Sequence, residues 1–140
     1  MIDATQIILV CHAPLGSALH AVACHGFGRQ LRDAIVVDVL DRQSKAEVSQ
    51  AIESAWQEQG GPQAVLLLTD LHGATPSNGA GLWMTAHLHR GKACQVAGVT
   101  GVSLPLLLKA LTYNTLGPEA LATHLLTNQP DCGCRLEALA

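Results

Sequence analysis

A doubly wound, mainly parallel α/β sheet with strand order 2-1-3-4 and helices on both faces is the fold this sequence predicts. Three observations carry it. Short apolar runs, Ile7-Ile8-Leu9-Val10, Ala34-Ile35-Val36-Val37 and Ala64-Val65-Leu66-Leu67-Leu68, are bounded by turn signals, as strands buried on both faces are. Stretches with helical spacing of apolar residues separate these runs, so strand and helix alternate along the chain. Two runs end in a residue that can do chemistry, His12 and Asp70, and strand C-termini are where open parallel sheets keep their sites.

The elements follow in order. Strand one is Gln6 to His12. Leu15, Ala18, Leu19, Val22 and Ala23 then recur at helical spacing up to Gly26, which predicts a first helix laying that face on the sheet. Ala34 to Val39 is strand two. Ser44 with Glu47 three positions on is a capping box, and the helix it opens carries Val48, Ala51, Ile52, Ala55 and Trp56 on one face until Gly60-Gly61 stops it. Strand three ends at Asp70. Thr75 as N-cap and Pro76 as first helical residue start a third helix reaching to about Gly91. Cys94 to Thr100 is strand four, Ser103 caps a helix bearing Leu104, Leu107, Leu108 and Leu111, and Gly117-Pro118 opens a last short helix through about Leu126. The tail, Cys132 to Leu139, is a possible fifth strand.

Composition narrows the function. At 140 residues the chain has the length of one domain, spanning 1–140. Hydrophobic residues make up 49%, yet no apolar stretch reaches the roughly 18 to 20 residues of a spanning helix, so no membrane insertion is expected. The N-terminus lacks the basic region and cleavage site of an export signal, which places the chain in the cytoplasm. Five cysteines, an odd number, then read as reduced thiols. With a net charge of -3 and 8 Lys plus Arg, the basic footprint of a nucleic-acid binder is missing.

In the order 2-1-3-4, strands one and three are neighbours at the switch point, so His12 and Asp70 share one cleft. A carboxylate holding one imidazole nitrogen leaves the other as a nucleophile or base. The loop after Asp70 leads into the N-terminus of the third helix, whose free amides and positive dipole end favour an anion, with the Thr75 hydroxyl beside them. Nucleophile, orienting carboxylate and anion cradle are what reversible phosphorylation of a histidine requires, and no metal or other cofactor enters.

These residues carry a resemblance. His12 behind Ile-Leu-Val-Cys, the segment Leu67-Leu68-Thr69-Asp70-Leu71-His72-Gly73-Ala74-Thr75-Pro76-Ser77-Asn78 and the segment Val99-Thr100-Gly101-Val102-Ser103-Leu104-Pro105 resemble the IIA component of the mannose family of the phosphoenolpyruvate-dependent sugar phosphotransferase system, over about residues 6 to 112. The resemblance implies that His12 accepts a phosphoryl group from phospho-HPr and passes it to a IIB domain. It makes Asp70 the partner of His12 and Thr75, with Gly73 and Ala74, the phosphate cradle. It also implies a homodimer with an exchanged C-terminal strand. Three positions depart from the family's pattern: Ala13-Pro14 follows the histidine where Gly is frequent, His72 replaces a common Trp, and Ser103 a frequent Asn. Two alternatives stand beside this reading. One is the related phosphocarrier subunit of a dihydroxyacetone kinase, and the other a non-catalytic regulatory interaction module.

Other features have plainer readings. His20 and Cys24 at i, i+4, near His25, and the pair Cys132 and Cys134 suggest metal ligands, but Cys-x-Cys is tighter than zinc spacing and surface or packing roles fit better. Gly79-Ala80-Gly81 lies inside a predicted helix, so it reads as close helix packing and not as a dinucleotide fingerprint. Trp56 and Trp83 read as core or interface residues.

Overall fold

The computed structural model of the chain describes residues 4–88, 95–127 and 133–139. Four parallel strands, β1 (Gln6–His12), β2 (Ala34–Val39), β3 (Ala64–Thr69) and β4 (Gln95–Thr100), form one sheet in the order β2-β1-β3-β4. The helices are α1 (Leu15–Phe27), α2 (Lys45–Glu58), α3 (Thr75–Leu88), α4 (Leu104–Thr112) and α5 (Pro118–Thr127). Strand alternation sorts them into two layers. Ile7, Leu9 and Cys11 face a core closed by α1, α4 and α5, while Ile8 and Val10 face one closed by α2 and α3. Because α1 and α2 cross on opposite faces, the chain leaves β1 for one side and returns past it to β3, which makes β1 and β3 the switch-point pair. Their register sets Val10 beside Thr69, so His12 and Asp70 follow at the same end of the sheet.

The caps read from sequence form at two helices. Ser44 accepts from the Glu47 amide at 3.1 Å while Glu47 Oε1 accepts from the Ser44 amide at 3.2 Å, closing the capping box of α2. Ser103 Oγ accepts from the Leu106 amide at 3.3 Å and caps α4. Gly60 and Gly61 hold φ of 83° and 65°, backbone that β-substituted residues rarely adopt, and they end α2. The end expected for the third helix, near Gly91, and Cys94 at the start of strand four lie outside the described residues.

Two expectations are corrected. The first helix passes Gly26 and ends at Phe27, with Gly28 in the left-handed conformation as its stop. It also turns a different face inward: Gly16 and Ala23 are buried and Leu19 is partly so, whereas Leu15 and Val22 are 40% and 50% exposed and Ala18 is exposed. The Gly16 backbone lies so close to β2 that a Cβ there would stand 3.0 Å from Val36 Cγ1, and this approach fixes the rotation of the helix. The fifth strand is expected to be exchanged between two copies, and in the single chain residues 133–139 form no strand on its own sheet, with Leu136 and Leu139 95% and 97% exposed. A strand needs a partner edge, and within one chain this tail meets none.

Candidate functional site

His12 is the last residue of β1, with its side chain 52% exposed, and it meets Asp70, 10% exposed, immediately beyond β3. One carboxylate oxygen, Oδ2, accepts from both the His12 amide at 2.9 Å and His12 Nδ1 at 2.8 Å. The other, Oδ1, accepts from the Leu71 amide at 2.9 Å. Burial on its own would raise the Asp70 carboxyl. The His12 amide and imidazole bonds and the attraction of the His12 ring outweigh it, so the group is held below its usual value.

The tautomer follows. An ionised carboxylate can only accept, so Nδ1 must carry the proton, and the lone pair of a neutral imidazole then sits on Nε2. Half-exposed His12 can offer that lone pair to an electrophile brought by another molecule. Its neighbour is unreactive by contrast: burial, then the charges of Asp70 and Asp38, push the Cys11 thiol up to about 12, where it stays protonated.

The family model described as PTS system fructose IIA component, EIIA-man, matches residues 6–123. The chain belongs to this family. The fold agrees: a mannose/sorbose-specific IIA subunit of the phosphotransferase system from Enterococcus faecalis superposes with a TM-score of 0.81 at 20% identity, covering 99% of this chain and 98% of that one. A phosphotransferase system component EIIA from Streptococcus agalactiae gives 0.77 at 20% identity over 94% and 96% of the two chains. The IIA protein associated with the fucose utilization operon of Streptococcus pneumoniae gives 0.67 at 21% over 91% and 93%. No curated protein sequence matches the chain. This IIA chain thus has the fold and family of a phosphotransfer component, and none of its described helices is long and apolar enough to cross a membrane.

The loop from Asp70 to α3 differs in detail from expectation. Thr75 is the first helical residue and not the N-cap, because the Asn78 amide donates to the Ala74 carbonyl at 2.9 Å and so makes Ala74 the capping position. Gly73 turns the loop with φ of 82°, and its carbonyl accepts from Asn78 Nδ2 at 3.1 Å. The Ala74 amide closes the turn by donating to the Leu71 carbonyl at 3.3 Å. Thr75 is half-buried at the start of α3, where the amides of the first turn have no carbonyl one turn back.

Sequence reading overlooked a group of hydroxyls beside Asp70. Thr69 Oγ1 and Ser77 Oγ stand 2.7 Å apart, Ser77 Oγ donates to the Leu71 carbonyl at 2.7 Å, and Thr100 Oγ1 lies 3.3 Å from Ser77 Oγ. The available signal was a Thr at the end of one strand and a Ser in the first turn of the next helix. His72 and His25 are exposed and belong to no such arrangement among the described residues. His20 and Cys24 lie 3.8 Å apart on α1, with His20 Nε2 3.3 Å from the Leu31 carbonyl. Among the described residues no group of three or more His, Cys, Asp or Glu is placed to hold a metal ion.

Proposed function

We propose that this chain is a phosphocarrier in which His12 takes a phosphoryl group from phospho-HPr and passes it to a IIB domain. The observation that carries the reading is the Nδ1 bond to an Asp70 held ionised, which leaves Nε2 as the outward nucleophile. The Nε2 lone pair forms the new P–N bond as the P–N bond to the donor's imidazole breaks, and the electron pair returns to that ring. Asp70 keeps the tautomer and stabilises the imidazolium character that develops. Thr75 and the amides around Gly73 and Ala74 receive the phosphoryl oxygens at the positive end of α3, an effect of about 0.3 to 1 kcal/mol per charge at an exposed terminus. The Ala74 amide, already bonded to the Leu71 carbonyl, leaves the larger share of this task to Thr75.

On this reading the protein works in the cytoplasm, where its phosphoryl donor is made, and forms a homodimer through its C-terminal segment. The test is incubation with phosphoenolpyruvate, enzyme I and HPr, followed by mapping of acid-labile phosphate. Label on His12, lost in His12→Ala, is the expected result. Label on His72 or His25, or none at all, overturns it.

A further inference from the structure

We propose that Ser77 is a positioning residue for the phosphoryl acceptor, its hydroxyl bracing the peptide segments on both sides of Asp70 so that the carboxylate is held against His12. The proposal rests on the phosphocarrier reading for its consequence in transfer, though not for its consequence in the resting protein.

Proton counting shows how the brace is built. Ser77 has one hydroxyl proton, and it goes to the Leu71 carbonyl at 2.7 Å. The 2.7 Å contact with Thr69 therefore has Thr69 as donor, and Ser77 keeps a second lone pair for Thr100 Oγ1 at 3.3 Å. Thr69 and Leu71 are the two residues flanking Asp70. The first is tied through its side chain and the second through its main chain, both to one atom on α3. Leu71 is held at its other end too, because its amide donates to Asp70 Oδ1 at 2.9 Å while the Ala74 amide takes the second lone pair of its carbonyl. The Thr69 carbonyl accepts from the Val102 amide at 2.9 Å, which ties the loop beyond β4 to the same point.

Asp70 is the group most in need of such support. It lies just past the last ladder residue of β3, where no strand pairing fixes its backbone. Its two bonds to His12 define the reactive tautomer, and they converge on a single oxygen. If the Leu71 carbonyl loses its Ser77 donor, the turn is left with the longer 3.3 Å bond from Ala74, and the carboxylate gains freedom to rotate away from Nδ1. An oriented group that loosens loses rate: a misplacement of about 1 Å costs on the order of a hundredfold.

The experiment compares wild type, Ser77→Ala and Ser77→Thr as full-length proteins, by two independent measurements. One is the transfer rate from phospho-HPr. The other is the imidazole nitrogen NMR spectrum of His12 in the unphosphorylated protein, which reads the tautomer without any transfer. Ser77→Ala should slow transfer about tenfold with the KM for phospho-HPr unchanged, a loss smaller than full misplacement. It should also let the Nε2-protonated tautomer of His12 appear, and Ser77→Thr, which keeps the hydroxyl, should restore both. A variant that loses melting temperature yet keeps the wild-type tautomer and rate overturns the proposal. If Ser77→Ala does not fold, Thr69→Val removes one arm of the brace and should give the same tautomer change in weaker form; an unchanged tautomer there overturns the proposal equally. Failure of wild type to be labelled on His12 overturns the phosphocarrier reading and leaves the tautomer measurement to decide on Ser77.

Discussion

At the scale of single residues, the chemistry depends on which proton sits on His12, and one carboxylate decides it. Asp70→Asn keeps the shape but presents a neutral group, so transfer should slow on the order of a hundredfold, the lower end of what a positioned acid-base partner supplies. A variant with intact fold and unchanged rate would reduce Asp70 to a turn residue. The same bonds make a pH statement. Because the folded carboxyl is held below its unfolded value, its contribution to stability is present above the usual carboxylate range and is lost as pH falls through the lowered folded value. Urea midpoints of wild type and Asp70→Asn should therefore differ at pH 6 and draw together only as pH falls below the usual carboxylate range and through the lowered folded value. Cys11 gives a second residue-level test. Its buried thiol should resist iodoacetamide at pH 8 in the native protein and react once the chain is unfolded in urea, read by mass spectrometry of the alkylated peptide. His12 and Asp70 were legible in the sequence because both close an apolar run, and a parallel sheet gathers strand ends. Ser77 was not, since a serine in the first turn of a helix has many uses and only the folded loop brings it to Leu71.

At the scale of elements, the contact between α2 and α3 shows what pattern can and cannot tell. The string Gly79-Ala80-Gly81 suggests close packing but does not say which glycine makes it. A Cβ on Gly79 would stand 2.4 Å from Val48 Cγ1 and 2.5 Å from Val48 Cβ, whereas one on Gly81 would meet nothing within 4 Å. Gly79→Ala should therefore destabilise the protein by about 1 to 3 kcal/mol through overpacking. Gly81→Ala should stabilise it by roughly 0.5 to 1 kcal/mol, because alanine orders more cheaply in a helix. Denaturant melts of the two variants check the pair, and equal shifts would refute the packing account. Strand order and most helix ends were legible for a physical reason: apolar runs and caps are local signals that the fold obeys. The inner face of α1 was not. Leu15, Ala18 and Val22 look like a core face by periodicity, but the close approach at Gly16 turns them outward, and that approach is a tertiary fact.

At the scale of the whole molecule, two groups of apolar side chains among those left uncovered in the described residues bear on association. One is the Leu15, Ala18 and Val22 stripe of α1, and the other is the tail with Leu136 and Leu139 almost fully exposed. Along the tail Cys134, Leu136 and Ala138 alternate with Arg135 and Glu137, the period of a strand with one buried side. A four-stranded open sheet leaves two edges, β2 and β4, each with backbone groups that a further strand can satisfy. Supplying the tail to a second copy would cover an edge and bury Cys134, Leu136 and Ala138 at once, and by symmetry the exchange would happen twice. The His12 site lies at the β1 and β3 ends inside the sheet, away from both edges, so association and chemistry should separate. Removing the segment from Cys132 onward is expected to convert a homodimer to a monomer in light scattering at micromolar concentration while His12 still accepts label. A monomeric full-length protein under the same conditions would show that the tail has another use.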